Sequence, residues 1–207
     1  MMQADKIEFI LLKAGSVHMF TAYDERKENP RYELIRGEEK LLAQPATPHA
    51  SVAKNIAFLL QSYLRGKRCK LFGEVDVFFD ENNHFIPDLL VVCDPQKIKY
   101  NGIHEAPELI VEILSPGTAK NDRTSKKDVY EAFGVREYWL VNPKDKSVEV
   151  YHLLNGKFIL DDIYHDYSEE DWDLLTEKEK AAQKFKVKVS LYDDLEIDVK
   201  EIFEDIG

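Results

Sequence analysis

Two acids in this chain lie where an acid is costly. Asp88 falls in the run Phe85-Ile-Pro-Asp-Leu-Leu-Val-Val-Cys93, and Glu112 falls 24 residues later in Pro107-Glu-Leu-Ile-Val-Glu-Ile-Leu114. Each run reads as a buried strand, so an ionised carboxylate within it is desolvated and needs a partner. Two such acids on neighbouring strands repel unless a divalent cation lies between them. Two carboxylates with a main-chain carbonyl suit a hard, oxygen-seeking ion such as magnesium or manganese. An ion so held acidifies water and offsets charge on a phosphoryl oxygen. The plain alternative is an acid at a strand end, simply solvated, because Asp after Pro is common in turns.

A second constellation follows Glu112. Asp122, Lys126 and Tyr130 are spaced i, i+4, i+8, which sets them on one face of a helix. Lys126 can point back at the two acids and stabilise an attacking hydroxide or a charged phosphoryl group. On spacing alone it could equally pair with Asp122 at the surface. Lys127 projects about 100° away around the helix. Asp76, in the alternating run Val75-Asp-Val-Phe, is either a third acid near the ion or an outward-facing residue, with the outward reading preferred. His49 opens a helix, where it either reaches phosphate or substrate or stays on the surface. Tyr138 and Trp139 read as core. Other chemistries leave no trace: there is no phosphate-cradling GxxxxGK[ST], GxGxxG, GxSxG or HExxH, and the six histidines are not at metal-ligand spacing. No nucleotide cofactor is expected.

The elements that must carry these residues can be read in order. Tyr32–Leu42 alternates around Gly37 as a hairpin. Thr47-Pro-His starts a helix whose apolar face is Val52, Ile56, Leu59, Leu60, Tyr63 and Leu64, ending at Gly66. Two strands, Lys70–Asp80 and His84–Asp94, flank the turn Glu81-Asn-Asn, and Pro107–Leu114 forms a central strand. Asp122–Phe133 reads as a helix closed by Gly134. Arg136–Asn142 and Val148–Leu154 follow as strands, then a helix start at Ser168-Glu-Glu-Asp, a strand near Phe185–Val189 and a helical turn near Val199–Phe203. This order predicts an α/β fold with a sheet of mixed direction.

The 207 residues fit one domain, here 31–207, behind a weakly patterned N-terminal extension at 1–30. The net charge of -11 looks wrong for a chain that handles nucleic acid, but it is unevenly spread. Residues 161–207 hold 16 acids against 6 bases, whereas residues 1–160 hold 23 against 22. The body is close to neutral, with basic clusters at Arg65–Lys70 and Lys120–Lys127, which argues against strong non-specific DNA binding. The acidic segment at 161–183 reads as a solvated helix in preference to an interaction surface. No run approaches the length of a membrane span, and the charged start of the chain lacks a signal-peptide pattern, so a cytoplasmic location is expected. Cys69 and Cys93 form no CxxC pair and read as reduced, structural thiols.

The ordered set Pro87-Asp-Leu-Leu-Val-Val, Pro107-Glu-Leu-Ile-Val-Glu-Ile-Leu-Ser-Pro-Gly-Thr118, Asp122…Lys126…Tyr130 and Gly134-Val-Arg-Glu-Tyr-Trp-Leu-Val-Asn-Pro143 resembles the Uma-type restriction endonucleases. That family belongs to the PD-(D/E)xK nuclease superfamily. The likeness runs from about Tyr32 to Leu153, includes Pro48-His49, and extends to the closing segment Leu195–Phe203. It implies a restriction-endonuclease-like mixed sheet flanked by helices and a magnesium-dependent site, manganese being an alternative. Asp88 then matches the first acid, Glu112 the second, and the Ile113 carbonyl the main-chain ligand. The superfamily lysine belongs two residues after Glu112, where this chain has Leu114; the family supplies a helix lysine instead, and Lys126 matches it. The expected activity is endonucleolytic hydrolysis of DNA, by a homodimer if both strands are cut. The rival expectations are a nucleic-acid or protein-binding module that kept the fold without catalysis, and a structural protein whose acid pair shares a proton.

Overall fold

In the computed structural model residues 31–206 are described, so the expected N-terminal extension lies outside them. The first hairpin forms as expected from β1 (Tyr32–Ile35) and β2 (Glu38–Leu41). Helix α1 (Thr47–Leu64) carries proline in its first turn and buries Val52, Ile56, Leu60 and Leu64, one residue per turn.

The two long runs expected as single strands are each divided. The first gives β3 (Lys70–Gly73) and β4 (Val77–Asp80), and the second gives β5 (Asn83–Phe85) and β6 (Leu89–Val92). Glu74 takes a left-handed backbone, φ 51°, which no strand continues. Pro87 lacks the N–H that a ladder needs. At both breaks the chain leaves one sheet for another. The crossings lie side by side: the Glu74 N–H donates to the Pro87 carbonyl at 3.2 Å. Gly73 fits because a Cβ there would stand 3.3 Å from the Asp88 carbonyl oxygen.

Two short strands without a sequence signal follow, β7 (Ile98–Lys99) and β8 (Gly102–His104), and then β9 (Leu109–Ile113). The helix after β9 comes in three pieces: α2 (Ala119–Asn121), a π-helical turn over Asp122–Lys126, and α3 (Lys127–Phe133). Gly134, at φ 85°, ends it, and the Val135 N–H bonds back to the Tyr130 carbonyl at 3.0 Å. Strands β10 (Glu137–Asn142), β11 (Ser147–Leu154) and β12 (Lys157–His165) form a meander. The chain closes with α4 (Glu169–Leu174), α5 (Glu177–Ala182), β13 (Lys186–Lys188), β14 (Glu196–Asp198) and α6 (Val199–Ile202). The acidic segment expected as one solvated helix is instead the end of β12 followed by the two short helices α4 and α5, neither of which buries a residue.

Among the described residues the strands assemble into two six-stranded sheets of mixed direction and a two-stranded ribbon. The larger sheet has the order β12-β11-β10-β9-β6-β3, with β9 and β10 parallel. The smaller has the order β2-β1-β5-β4-β8-β7, with β4 and β8 parallel. One face of the larger sheet presents Leu89, Val91, Leu109, Val111, Ile113, Trp139 and Val141 to α1, the ribbon and α6. Its other face presents Leu90, Val92, Ile110, Tyr138 and Leu140 to the smaller sheet and α3. Tyr138 and Trp139 are core residues, as expected. No helix among the described residues is long and apolar enough to cross a membrane.

The cysteines correct the sequence reading. Cys69 and Cys93 are joined in a disulfide, not reduced. Lys70 pairs with Val92 across β3 and β6, so one further step of that register sets the two cysteines opposite each other. Their 24-residue separation hid a contact that strand pairing makes direct.

Candidate active site

The site is built from strand register. Leu89 pairs with Val111 and Leu90 with Ile110 across antiparallel β6 and β9. Extending that register by one step places Asp88 opposite Glu112, at the end where β6 begins. Side chains alternate along a strand, so both acids point to the face shared by Leu90 and Ile110. Asp88 stands just outside the ladder, and its Oδ2 accepts the Ile113 N–H at 2.7 Å. The smaller sheet and α3 cover this face, leaving the Glu112 side chain 5% exposed and Asp88 17%.

The helix supplies the counter-charge. Lys126 Nζ lies 2.6 Å from Glu112 Oε1 and 3.4 Å from Asp122 Oδ1. The Tyr130 hydroxyl donates to the same Glu112 oxygen at 2.7 Å. The three helical residues therefore share a face, and the surface pairing considered for Lys126 and Asp122 is replaced by a buried cluster. The π-helical turn lies over the segment that ends at Lys126. Such turns are uncommon and concentrate at functional sites. Lys127 points elsewhere, with Nζ 3.4 Å from the Tyr151 ring centroid. Tyr138 donates to the Asp122 carbonyl at 3.0 Å.

A fourth acid was not read from the sequence. Glu33 in β1 is buried, and its Oε1 lies 3.0 Å from Lys126 Nζ. The only signal was parity, because Glu33 shares the inward phase of Ile35 in the hairpin. At the other side of Asp88, His49 Nε2 lies 3.3 Å from Asp88 Oδ1, brought there by the start of α1. His49 Nδ1 is buried without a hydrogen-bond partner among the described residues. Asp76 is not brought in: its carboxylate meets His84 Nε2 at 2.6 Å and is 44% exposed, as the outward reading has it.

Four carboxylates, from Glu33, Asp88, Glu112 and Asp122, thus gather around one lysine and one histidine. Burial, together with the charges of Asp122, Asp88 and Glu33, pushes the Glu112 carboxyl well above the usual range against the pull of Lys126. Burial also opposes the Lys126 ammonium, but Glu112, Glu33 and Asp122 outweigh it and hold the lysine well above its ordinary value. For His49, burial would lower the pKa, yet the hydrogen bond to Asp88 and the charges of Asp88 and Glu74 raise it.

The donor chemistry fits a hard cation. Among the described residues, no three His, Cys, Asp or Glu side chains are arranged as a ready metal cage. Two carboxylates need a third oxygen from the main chain, and Ile113, whose N–H meets Asp88, directly follows Glu112 on β9. Asp88, Glu112 and the Ile113 carbonyl could hold magnesium or manganese, and the excess of buried negative charge favours doing so.

Comparison with known proteins shows the family and the fold. A family model described as "Uma2: Putative restriction endonuclease" matches residues 17–177. An uncharacterized protein of Synechocystis sp. (strain ATCC 27184 / PCC 6803 / Kazusa), slr1290, is 26% identical over 132 residues, covering 62% of this chain and 69% of that one. Among solved structures, one titled a putative nuclease belonging to DUF820, from Anabaena variabilis ATCC 29413, superposes with a TM-score of 0.65 at 20% identity, covering 86% of this chain and 92% of its own. At that identity the likeness shows the fold: a mixed α/β architecture with multi-stranded sheets flanked by helices, shared with a nuclease-like chain.

Proposed function

The chain belongs to the Uma2 family, and from that premise we propose that it is a divalent-metal-dependent endonuclease hydrolysing DNA phosphodiester bonds at the Asp88–Glu112 site. The observation that carries the reading is the pair of acids set opposite each other in register, with Lys126 against one of them. A cation held by Asp88, Glu112 and the Ile113 carbonyl supplies Lewis acidity, acidifying water and offsetting phosphoryl charge. Magnesium is the ion we assign, with manganese as a substitute.

The chain's own residues divide the remaining work. Asp88 is oriented by the Ile113 N–H, so one oxygen is fixed and the other faces His49. Glu112 is fixed through Oε1 by both Lys126 and Tyr130. Lys126 Nζ is surrounded by three carboxylates, an arrangement that suits an ammonium better than a base that takes a proton from water. It acts instead as a charge that stabilises an attacking hydroxide or the pentavalent phosphoryl group, as a preorganised donor does. His49, partly exposed beside Asp88, is suited to meet a phosphate or to exchange a proton with solvent. Two copies of the chain, each with one such site, would allow both strands of a duplex to be cut.

The competing reading is a module that kept the fold and lost catalysis; the acidic balance of the chain favours it. Calorimetric titration with manganese separates the two. A nuclease site binds the ion with a dissociation constant in the millimolar range or tighter, and Asp88→Ala and Glu112→Gln each weaken binding by about tenfold or more. Wild-type protein that takes up no manganese would contradict the proposal.

A further inference from the structure

Glu33 carries more than a share of the buried charge. It stands on β1 of the smaller sheet, while Lys126 stands on the helix and Asp88 at the start of β6 in the larger sheet. One of its atoms reaches both of these regions. Glu33 Oε1 lies 3.0 Å from Lys126 Nζ and accepts the Ile86 N–H at 3.0 Å. Ile86 is two residues before Asp88, in the segment where the chain crosses from β5 to β6. The same oxygen thus ties the lysine to the crossing that delivers the first acid.

Resting on the nuclease reading above, we propose that Glu33 is a positioning residue, which holds the Lys126 ammonium at the acid pair and sets it relative to Asp88.

The three carboxylates around Lys126 are not equivalent. Glu112 is the shortest contact, at 2.6 Å, and it is also an acid that a cation would draw on. Once Glu112 shares its charge with an ion, its hold on the ammonium weakens. Asp122 is the longest contact, at 3.4 Å, and sits one turn back on the lysine's own helix, so it cannot fix Nζ against the sheets. Glu33 is left as the anchor across the layer, from 93 positions away in sequence. Its side chain is 5% exposed and the lysine's 4%, so water does not compete for the contact. The Phe85 ring, with its centroid 5.8 Å from Nζ, closes the remaining side with an apolar wall.

The test uses Glu33→Gln, which keeps an oxygen for the Ile86 N–H and removes the charge, and Glu33→Asp, which keeps the charge and shortens the reach. Lys126 acylation by an amine-reactive ester is mapped by mass spectrometry in each folded protein, alongside manganese affinity by calorimetry and plasmid cleavage. Glu33→Gln is expected to raise Lys126 acylation about fivefold or more while leaving manganese affinity within about threefold. It lowers kcat about tenfold at unchanged KM, the mark of an interaction used in the transition state. Glu33→Asp gives an intermediate acylation rate, and decides the matter if Glu33→Gln does not fold. A lower Tm with Lys126 acylated no faster than in the wild type would make Glu33 merely structural and overturn the proposal. The acylation arm needs no cleavage, so it judges Glu33 even if the protein turns out to cut nothing, an outcome that would count against the nuclease reading alone.

Discussion

At the level of single residues, the site is a charge imbalance held in place by geometry. Removing the one buried cation should therefore be costly. Lys126→Ala leaves Glu112, Glu33 and Asp122 buried without their partner, and urea denaturation should show a loss of about 3–5 kcal/mol. His49 adds a dependence on pH. Its pKa is raised in the folded protein above the ordinary 6.5, so the folded state binds the proton more tightly than the unfolded chain. The stabilisation from the His49–Asp88 pair is then fully present below the unfolded pKa and is lost as pH rises through the folded value. The Tm gap between wild type and His49→Gln should be larger near about pH 6 than near about pH 8; an equal gap at both would mean the pair contributes no charge interaction. Asp88, Glu112 and Lys126 were legible because acids inside apolar runs are rare and a helical spacing follows them. Glu33 was not, because a short hairpin strand with Arg36, Glu38, Glu39 and Lys40 close by makes one more charge look ordinary.

Among the elements, β6 and β9 carry the account, and the contacts that hold their neighbours are testable. The Cys69–Cys93 disulfide staples β3 to β6 at the end away from Asp88. Closing a loop of 24 residues stabilises by about 3 kcal/mol in the chain-entropy picture. Reduction should lower the Tm by about 6–12 °C in a scanning calorimeter. Glu137 on β10 plays a similar part with hydrogen bonds. Its two oxygens accept from the Trp139 indole at 2.6 Å and the Ser190 N–H at 2.8 Å, tying the chain after β13 to the larger sheet. Glu137→Ala leaves the buried Trp139 indole N–H without its acceptor, which should cost about 1–3 kcal/mol in chemical denaturation. The central strands were legible from apolar runs, but β12, whose Asp161 and Asp162 interrupt its apolar residues, was not, nor was the division of the long runs. Glu74 and Pro87 break them, and only the pairing partners reveal that each half joins a different sheet. The disulfide was hidden for the same reason, since register is a property of two strands and not of either alone.

For the molecule as a whole, charge is segregated: the body is nearly neutral and residues 161–207 carry a net of -10. The helices of that segment are held by their caps and by the Tyr167–Trp172–Phe185 aromatic contacts, not by core burial. Such a surface does not attract a polyanion over long distances. Duplex DNA should bind no more tightly than a typical non-specific complex, about 10⁻⁴–10⁻⁶ M at physiological salt, in calcium so that cleavage does not interfere. Fluorescence anisotropy reads this directly, and nanomolar binding to arbitrary sequence would mean that local basic clusters dominate the net charge. The mixed α/β class was legible from element order, whereas the two-sheet layering that encloses the acids was not, because β7 and β8 are too short to leave a pattern. The most direct trial of the central claim is cleavage itself. Supercoiled plasmid and short single-stranded, duplex and branched DNAs are incubated with wild-type protein or Asp88→Ala in magnesium, manganese or EDTA. The account predicts nicking or linearisation that needs the metal and falls by about a hundredfold or more in the variant. Cutting that persists in EDTA, or that Asp88→Ala performs as well as the wild type, would contradict it.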